Sequence, residues 1–152
     1  MSRLQGIEID NEVFNIDTLD CKNMASKIKG VKLEEDKNVV GYGDMAWVYI
    51  DSIEFWFVDG HLFSFQLYEK NKDDKRNIYL IDSENKRIDL KDKNSLISLL
   101  YEPEFNDSGI GKFKEFEVFS NVKCRVEKRG GHNHFYYYIV KEDNILVNKT
   151  MN

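Results

Sequence analysis

Cysteine is scarce in this chain of 152 residues, with Cys21 and Cys124 the only two. Each has apolar neighbours at the period of its own segment, so both read as buried thiols rather than as a disulfide. No C-x-x-C occurs, which removes zinc ribbons and thioredoxin-type redox sites. Long apolar runs are missing too. The longest clear one is Phe135 to Val140, and Met1 to Gly6 leads into an alternating segment instead of a secretion signal. These absences predict a cytoplasmic chain with no membrane partner.

Catalytic signatures are equally thin. There is no G-x-S-x-G to present a serine nucleophile, and the two thiols look buried. Carboxylate pairs such as Asp51 with Glu54, or Glu115 with Glu117, are expected by chance among 27 acidic residues and single out no acid and base. Gly41-Tyr42-Gly43-Asp44-Met45-Ala46 fits G-x-G-x-x-A, but Trp47-Val48-Tyr49-Ile50 follows as a strand where a phosphate would need the start of a helix. A tight turn is the expected state there. No glycine stands five residues before Gly111-Lys112, so there is no P-loop. No enzyme class and no cofactor is indicated.

An excess of positive charge is lacking as well. The chain has 22 basic and 27 acidic side chains, a net charge of -5, which argues against direct binding of nucleic acid. The acidity is localised. Residues 1–60 hold 12 Asp and Glu against 6 Lys and Arg, whereas residues 61–152 hold 15 against 16.

With 41% hydrophobic and 13% aromatic residues, the chain is expected to fold as one globular domain over 1–152, with a polar tail from about 148. Its organisation is a series of hairpins. Ile53 to Val58 and Leu62 to Tyr68 meet at Asp59-Gly60, a pair suited to a type I′ turn because both residues tolerate positive φ. Ile7, Ile9, Val13 and Phe14 flank Asp10-Asn11 as a short opening hairpin or two edge strands, and Ile78, Leu80, Ile88 and Leu90 bracket Ser83 to Lys86 as another hairpin. A further hairpin turns at Gly130-Gly131, and a two-residue turn there sets Val126 beside Phe135, Cys124 beside Tyr137 and Val122 beside Ile139. Met45 to Ile50 and Ile53 to Val58 are apolar on both faces, as central strands covered on two sides would be. Val31 and Leu33 start a short strand that ends in a polar turn and loop, Glu34 to Asn38. Glu69 to Asn77 mixes both signs and reads as a solvated loop.

Two helices are expected. One has Asp17 or Thr18 as N-cap, buries Cys21, Met24, Ala25 and Ile28, and stops near Gly30 after about three turns. The other has Asp92 or Asn94 as cap, buries Leu96, Ile97, Leu99 and Leu100, and ends at Pro103. The fold class is α+β, a twisted and mostly antiparallel sheet built from hairpins with two short helices packed on it. A weak echo joins its halves. Gly41-Tyr42-Gly43 precedes one hairpin as Gly109-Ile110-Gly111 precedes another, and His61 and His132 each follow a turn.

Two sets of side chains are candidates for function. His132-Asn133-His134 on a strand aims two imidazoles at one face and supplies two corners of a zinc or iron site, with Glu127 or His61 as a third. The ordinary state of polar residues after a Gly-Gly turn is solvent exposure, so no metal is assigned. The second set is acidic: Glu34, Glu35, Asp36, Asp44, Asp51, Glu54 and Asp59 form a negative surface that docks a basic partner or keeps the chain soluble. Tyr136 and Tyr138 join it, on a polar-aromatic sheet face with Lys123, Arg125, Glu127 and His134.

In layout the chain resembles the small cytosolic immunity proteins of bacterial contact-dependent inhibition and polymorphic toxin systems. The resemblance is carried by Ile53 to Leu67 with its Asp59-Gly60 turn, by the short helix Ser95 to Leu100, and by the missing catalytic motifs. It implies a non-enzymatic inhibitor that occludes the basic surface of a cognate protein toxin, commonly a nuclease. Carboxylates would orient the encounter, and aromatics such as Trp56 would anchor it. The alternative is a small metal-binding or ligand-binding enzyme using His132 and His134, and a third reading is a purely structural interaction module. Oligomeric state is not specified by the sequence.

Overall fold

A computed structural model of the protein describes residues 1–68, 75–90, 92, 104–107, 112–129 and 132–140. These residues form two antiparallel sheets and one helix. The smaller sheet runs, edge to edge, β2 (Glu12–Asn15), β1 (Leu4–Ile9), β7 (Ile78–Asp82) and β8 (Arg87–Asp89). The larger has eight strands. Its first half is β3 (Lys32–Val39), β4 (Gly43–Ile50), β5 (Ile53–Val58) and β6 (His61–Tyr68), a simple meander. Beside β6 lies β12 (His132–Ile139), followed outward by β11 (Val122–Arg129), β10 (Lys112–Phe119) and β9 (Glu104–Asp107). The sheet is therefore two meanders joined at their last strands.

Turn chemistry sets the registers. Asp59 and Gly60 both take positive φ, 49° and 84°, and set Val58 opposite His61 and Phe57 opposite Leu62. A bulge at Phe63 then shifts the register by one, so Trp56 faces Ser64 and Phe55 faces Phe65. Asp10 and Asn11 do the same, at 48° and 72°, and pair β1 with β2. The β11–β12 register is the one expected, Val126 to Phe135, Cys124 to Tyr137 and Val122 to Ile139. Beyond the meanders, one residue in two faces inward. Val48, Phe55, Phe65, Tyr137, Cys124 and Phe116 line up across the larger sheet and share a core cluster with Ile7, Ile9, Ile78 and Leu80 of the smaller one. Burial of apolar area at about 25 cal/mol per Å² makes this shared layer the main stabilising element.

Three expectations change. The helix, α1 (Cys21–Lys27), has about two turns and is capped by Asp20, whose carboxylate accepts the Asn23 N–H at 2.8 Å. Neither Asp17 nor Thr18 caps it, because the helix starts only at Cys21; Asp17 is paired with Arg3 instead. The polar run Glu34 to Asn38 is no loop but most of β3, paired with β4 from Lys32–Tyr49 to Asp36–Met45. An edge strand needs only one hydrogen-bonded side, and its charges deter further strands from adding. Finally, the two faces of β4 and β5 are covered unequally: one is buried, while on the other Met45 is buried and Trp47, Tyr49, Glu54, Trp56 and Val58 are half-buried.

Among the described residues α1 is the only helix. The second expected helix, the Gly109–Gly111 and Gly130–Gly131 turns, residues 69–74 and the chain from 141 onward lie outside the described residues.

Candidate functional site

Strand alternation and register bring distant polar and aromatic residues into two rows on the outer face of the larger sheet. One row runs Glu34, Trp47, Trp56, Ser64 and continues over the junction to Tyr138, Lys123 and Glu117. The next runs Lys32, Tyr49, Glu54, Gln66, then Tyr136, Arg125 and Glu115. Aromatic side chains thus occupy the middle of the face. Trp47 and Trp56 meet edge to face, with centroids 6.1 Å apart and planes at 81°. Tyr136 and Tyr138 lie parallel at 6.4 Å, and Phe63 meets Tyr138 edge-on at 6.4 Å.

The charges on this face are held in place. Lys32 Nζ lies 2.9 Å from a Glu34 oxygen, and the Tyr49 hydroxyl donates to the other at 3.1 Å. Those two donors hold the Glu34 carboxyl below its usual pKa. Burial, and then the bond to Glu34, push Tyr49 up to about 12. Gln66 Nε2 donates to Glu54 Oε2 at 2.8 Å. The Arg125 guanidinium lies over the Tyr138 ring at 5.7 Å. Burial raises the Tyr138 pKa, and Arg125 opposes the shift.

Of the acidic residues named from the sequence, Glu34, Asp36 and Glu54 share this face with Tyr136 and Tyr138. Glu35 alternates to the inner side, where it adds to the burial and the Asp20 charge that raise the Cys21 thiol pKa. Asp44 and Asp59 stay at one end and hold the turns there. The Asp44 carboxylate accepts the Asn38 N–H at 2.9 Å, and the Asp44 N–H donates to Asp59 Oδ1 at 3.0 Å. Gly43 is required between them, since it takes φ +99° and a Cβ would sit 2.8 Å from Asp59 Oδ1. The turn they brace exposes Val40 and Tyr42. Asp51 is at the opposite end, accepting the N–H groups of Lys75 and Arg76 at 3.0 and 2.8 Å. The seven carboxylates therefore form no single cluster. Trp47 was not among the residues singled out, although a two-residue turn at Asp51-Ser52 sets it opposite Trp56.

The histidines behave differently from the expectation for residues after a turn. His134 is only 1% exposed and packs on Tyr136, ring centroids 4.0 Å apart. The His132 side chain lies outside the described part, and His61 is exposed at the start of β6. Among the described residues no three His, Cys, Asp or Glu side chains converge as metal ligands. Both cysteines are buried and free. Burial pushes both thiols up, so neither is poised as a thiolate. A cleft of about 450 Å³ lies beside Met1, Ser2, Asp82 and Phe119. Asp82 spends its oxygens there on Ser2 and on the N–H groups of Glu84 and Lys86, which makes it a turn-holding group.

Comparison with protein-family models, curated proteins and solved structures finds no match to this chain. No helix of the described residues is long and apolar enough to cross a membrane.

Proposed function

We propose that this protein is a non-enzymatic, cytoplasmic immunity protein that neutralises a cognate bacterial protein toxin by covering a basic surface on it. The observation that carries the reading is the pair of cross-strand rows, which gather two indoles, tyrosines and the Glu34 and Glu54 carboxylates on one sheet face. Large aromatic rings on a rigid strand lose little entropy on docking and serve as anchors, while carboxylates around them select a basic partner. The toxin as partner, with a nuclease as the leading type, follows from the likeness in layout to small immunity proteins. Glu34, Asp36, Glu54, Tyr136 and Tyr138 are the contact residues of this reading. Asp44, Asp51 and Asp59 act through the turns they hold.

The test is co-purification with the product of the neighbouring gene, followed by calorimetric titration of the pair. Trp56→Ala or a Glu34→Lys, Glu54→Lys double change is expected to weaken the complex by at least about tenfold, the scale of a buried anchor. Undiminished affinity in both variants, with their thermal midpoints intact, would overturn the reading.

A further inference from the structure

Resting on that reading of the outer face, we infer that Trp47, Trp56 and Glu54 form a receptor for one arginine side chain of the partner. Three observations converge on this place. The first is the carboxylate. Gln66, only 9% exposed, fixes Glu54 through a single 2.8 Å bond to Oε2, and among the described residues no cation is paired with it. Its neighbour Glu34 is already neutralised by Lys32. Glu54 is thus a positioned negative charge with an oxygen to spare.

The second observation is the pair of rings. Trp56 lies two residues beyond Glu54 on β5, so the two share a face, and Trp47 stands at a right angle to Trp56. A cation over an indole is drawn to the negative face of the ring, and indole is the strongest of the aromatic partners. The third is an unsatisfied donor. Trp56 Nε1 is buried with no acceptor, so turning the ring towards a ligand breaks no hydrogen bond and can gain one from a partner carbonyl.

These features choose between cations. A guanidinium is planar and weakly hydrated, so it stacks flat on an indole while its edge donates to a carboxylate. An ammonium offers only a compact, strongly hydrated charge. The receptor therefore takes arginine ahead of lysine, and a neutral side chain of arginine's shape is refused.

The chain has only two tryptophans, and both belong to the site, so intrinsic fluorescence reads it directly. The probes are three capped tripeptides, Gly-Arg-Gly, Gly-Lys-Gly and Gly-citrulline-Gly. The arginine peptide is expected to give a saturable change in emission, with the citrulline peptide at least about fivefold weaker. Glu54→Gln keeps the shape and the bond from Gln66 but removes the charge, and it should weaken the arginine peptide by a similar factor at an unchanged thermal midpoint. If that midpoint falls, Trp56→Phe replaces it, with Trp47 as the reporter and the same loss expected. Equal responses to arginine and citrulline, or an unaltered arginine response in the variant, would overturn the inference. If that happens while the co-purified partner still fails to bind Trp56→Ala, the docking reading stands without this receptor. Selective arginine binding with a partner indifferent both to Trp56→Ala and to the Glu34→Lys, Glu54→Lys change keeps the receptor and removes the docking reading.

Discussion

The two meanders of the larger sheet share a plan and differ in chemistry. In the first, β5 and β6 set Phe55 opposite Phe65, and in the second the matching strands β11 and β12 set Cys124 opposite Tyr137. The halves meet where Phe65 stacks on Tyr137, centroids 4.8 Å apart and planes at 13°. The turns between their second and third strands match as well. Asp51-Ser52 reaches out to the backbone leading into β7, while Asn121 clamps β1, accepting the Leu4 N–H at 2.8 Å and donating to its carbonyl at 3.0 Å. Each meander thus holds one strand of the smaller sheet by a turn side chain. On the outer face the contrast is of aromatic against oppositely charged pairs, since the first half sets Trp47 opposite Trp56 and Tyr49 opposite Glu54 where the second sets Glu117 opposite Lys123 and Glu115 opposite Arg125. One backbone plan has been filled with an apolar core under an aromatic, cation-seeking surface in one half, and with a core holding a thiol and a phenol under a surface of opposite charges in register in the other.

The largest test of this contrast is in the core. Phe55→Ala should cost about 3–5 kcal/mol, as large-to-small changes of buried aromatics do, whereas Cys124→Ala at the matching place removes little volume and should cost about 1 kcal/mol. Urea titration of both measures the gap, and equal losses would show that the halves do not carry unequal loads.

Next in size is the response to alkali. Burial raises the pKa of Cys124 and of Tyr137 from ordinary values of 9.0 and 10.0. The unfolded chain releases these protons at the ordinary values and the folded chain retains them. Their contribution is therefore complete below pH 9 and declines as pH rises, by about 1.4 kcal/mol per pH unit for each group. Tyr137→Phe makes the second half resemble the first and should remove the share that Tyr137 contributes. A stability profile above about pH 10 that is as steep in the variant as in the parent would refute the assignment.

The matching turns give the last comparison. Asn121→Ala leaves the Leu4 N–H and carbonyl without their side-chain partner and should cost about 1–3 kcal/mol. Asp51→Ala opens backbone groups that water can reach and should cost less. Hydrogen exchange should show β1 loosened by the first change and the Lys75 to Asn77 stretch by the second.

Much of the architecture was legible in local chemistry. Asp10-Asn11 and Asp59-Gly60 suit their turns because few residue pairs accept positive φ in succession. The first turn fixes the whole β1–β2 register, whereas the bulge at Phe63, which no local signal marks, shifts by one the register that the second turn starts. The junction of β6 with β12 was not legible, since no turn connects them and many strands could pair as well. Strand β3 escaped because an exposed edge shows no apolar alternation. The acidic set looked like a patch because Glu34, Glu35 and Asp36 are adjacent in sequence. Alternation sends Glu35 to the other face, and Asp44, Asp51 and Asp59 are consumed by backbone N–H groups nearby. His134 looked exposed from its place after Gly131, but Tyr136 two residues on covers its ring.

The junction carries a consequence for how the molecule comes together. Within each meander every pairing is between neighbours in sequence, but Ser64 must find Tyr138, and joining ends so distant is slow compared with zipping a hairpin. Until they join, Leu62 to Leu67 presents a bare margin of apolar residues with no lysine, proline or carboxylate to guard it. Newly made chains are therefore most prone to cling to one another at β6, and refolding yield should fall with protein concentration for that reason alone.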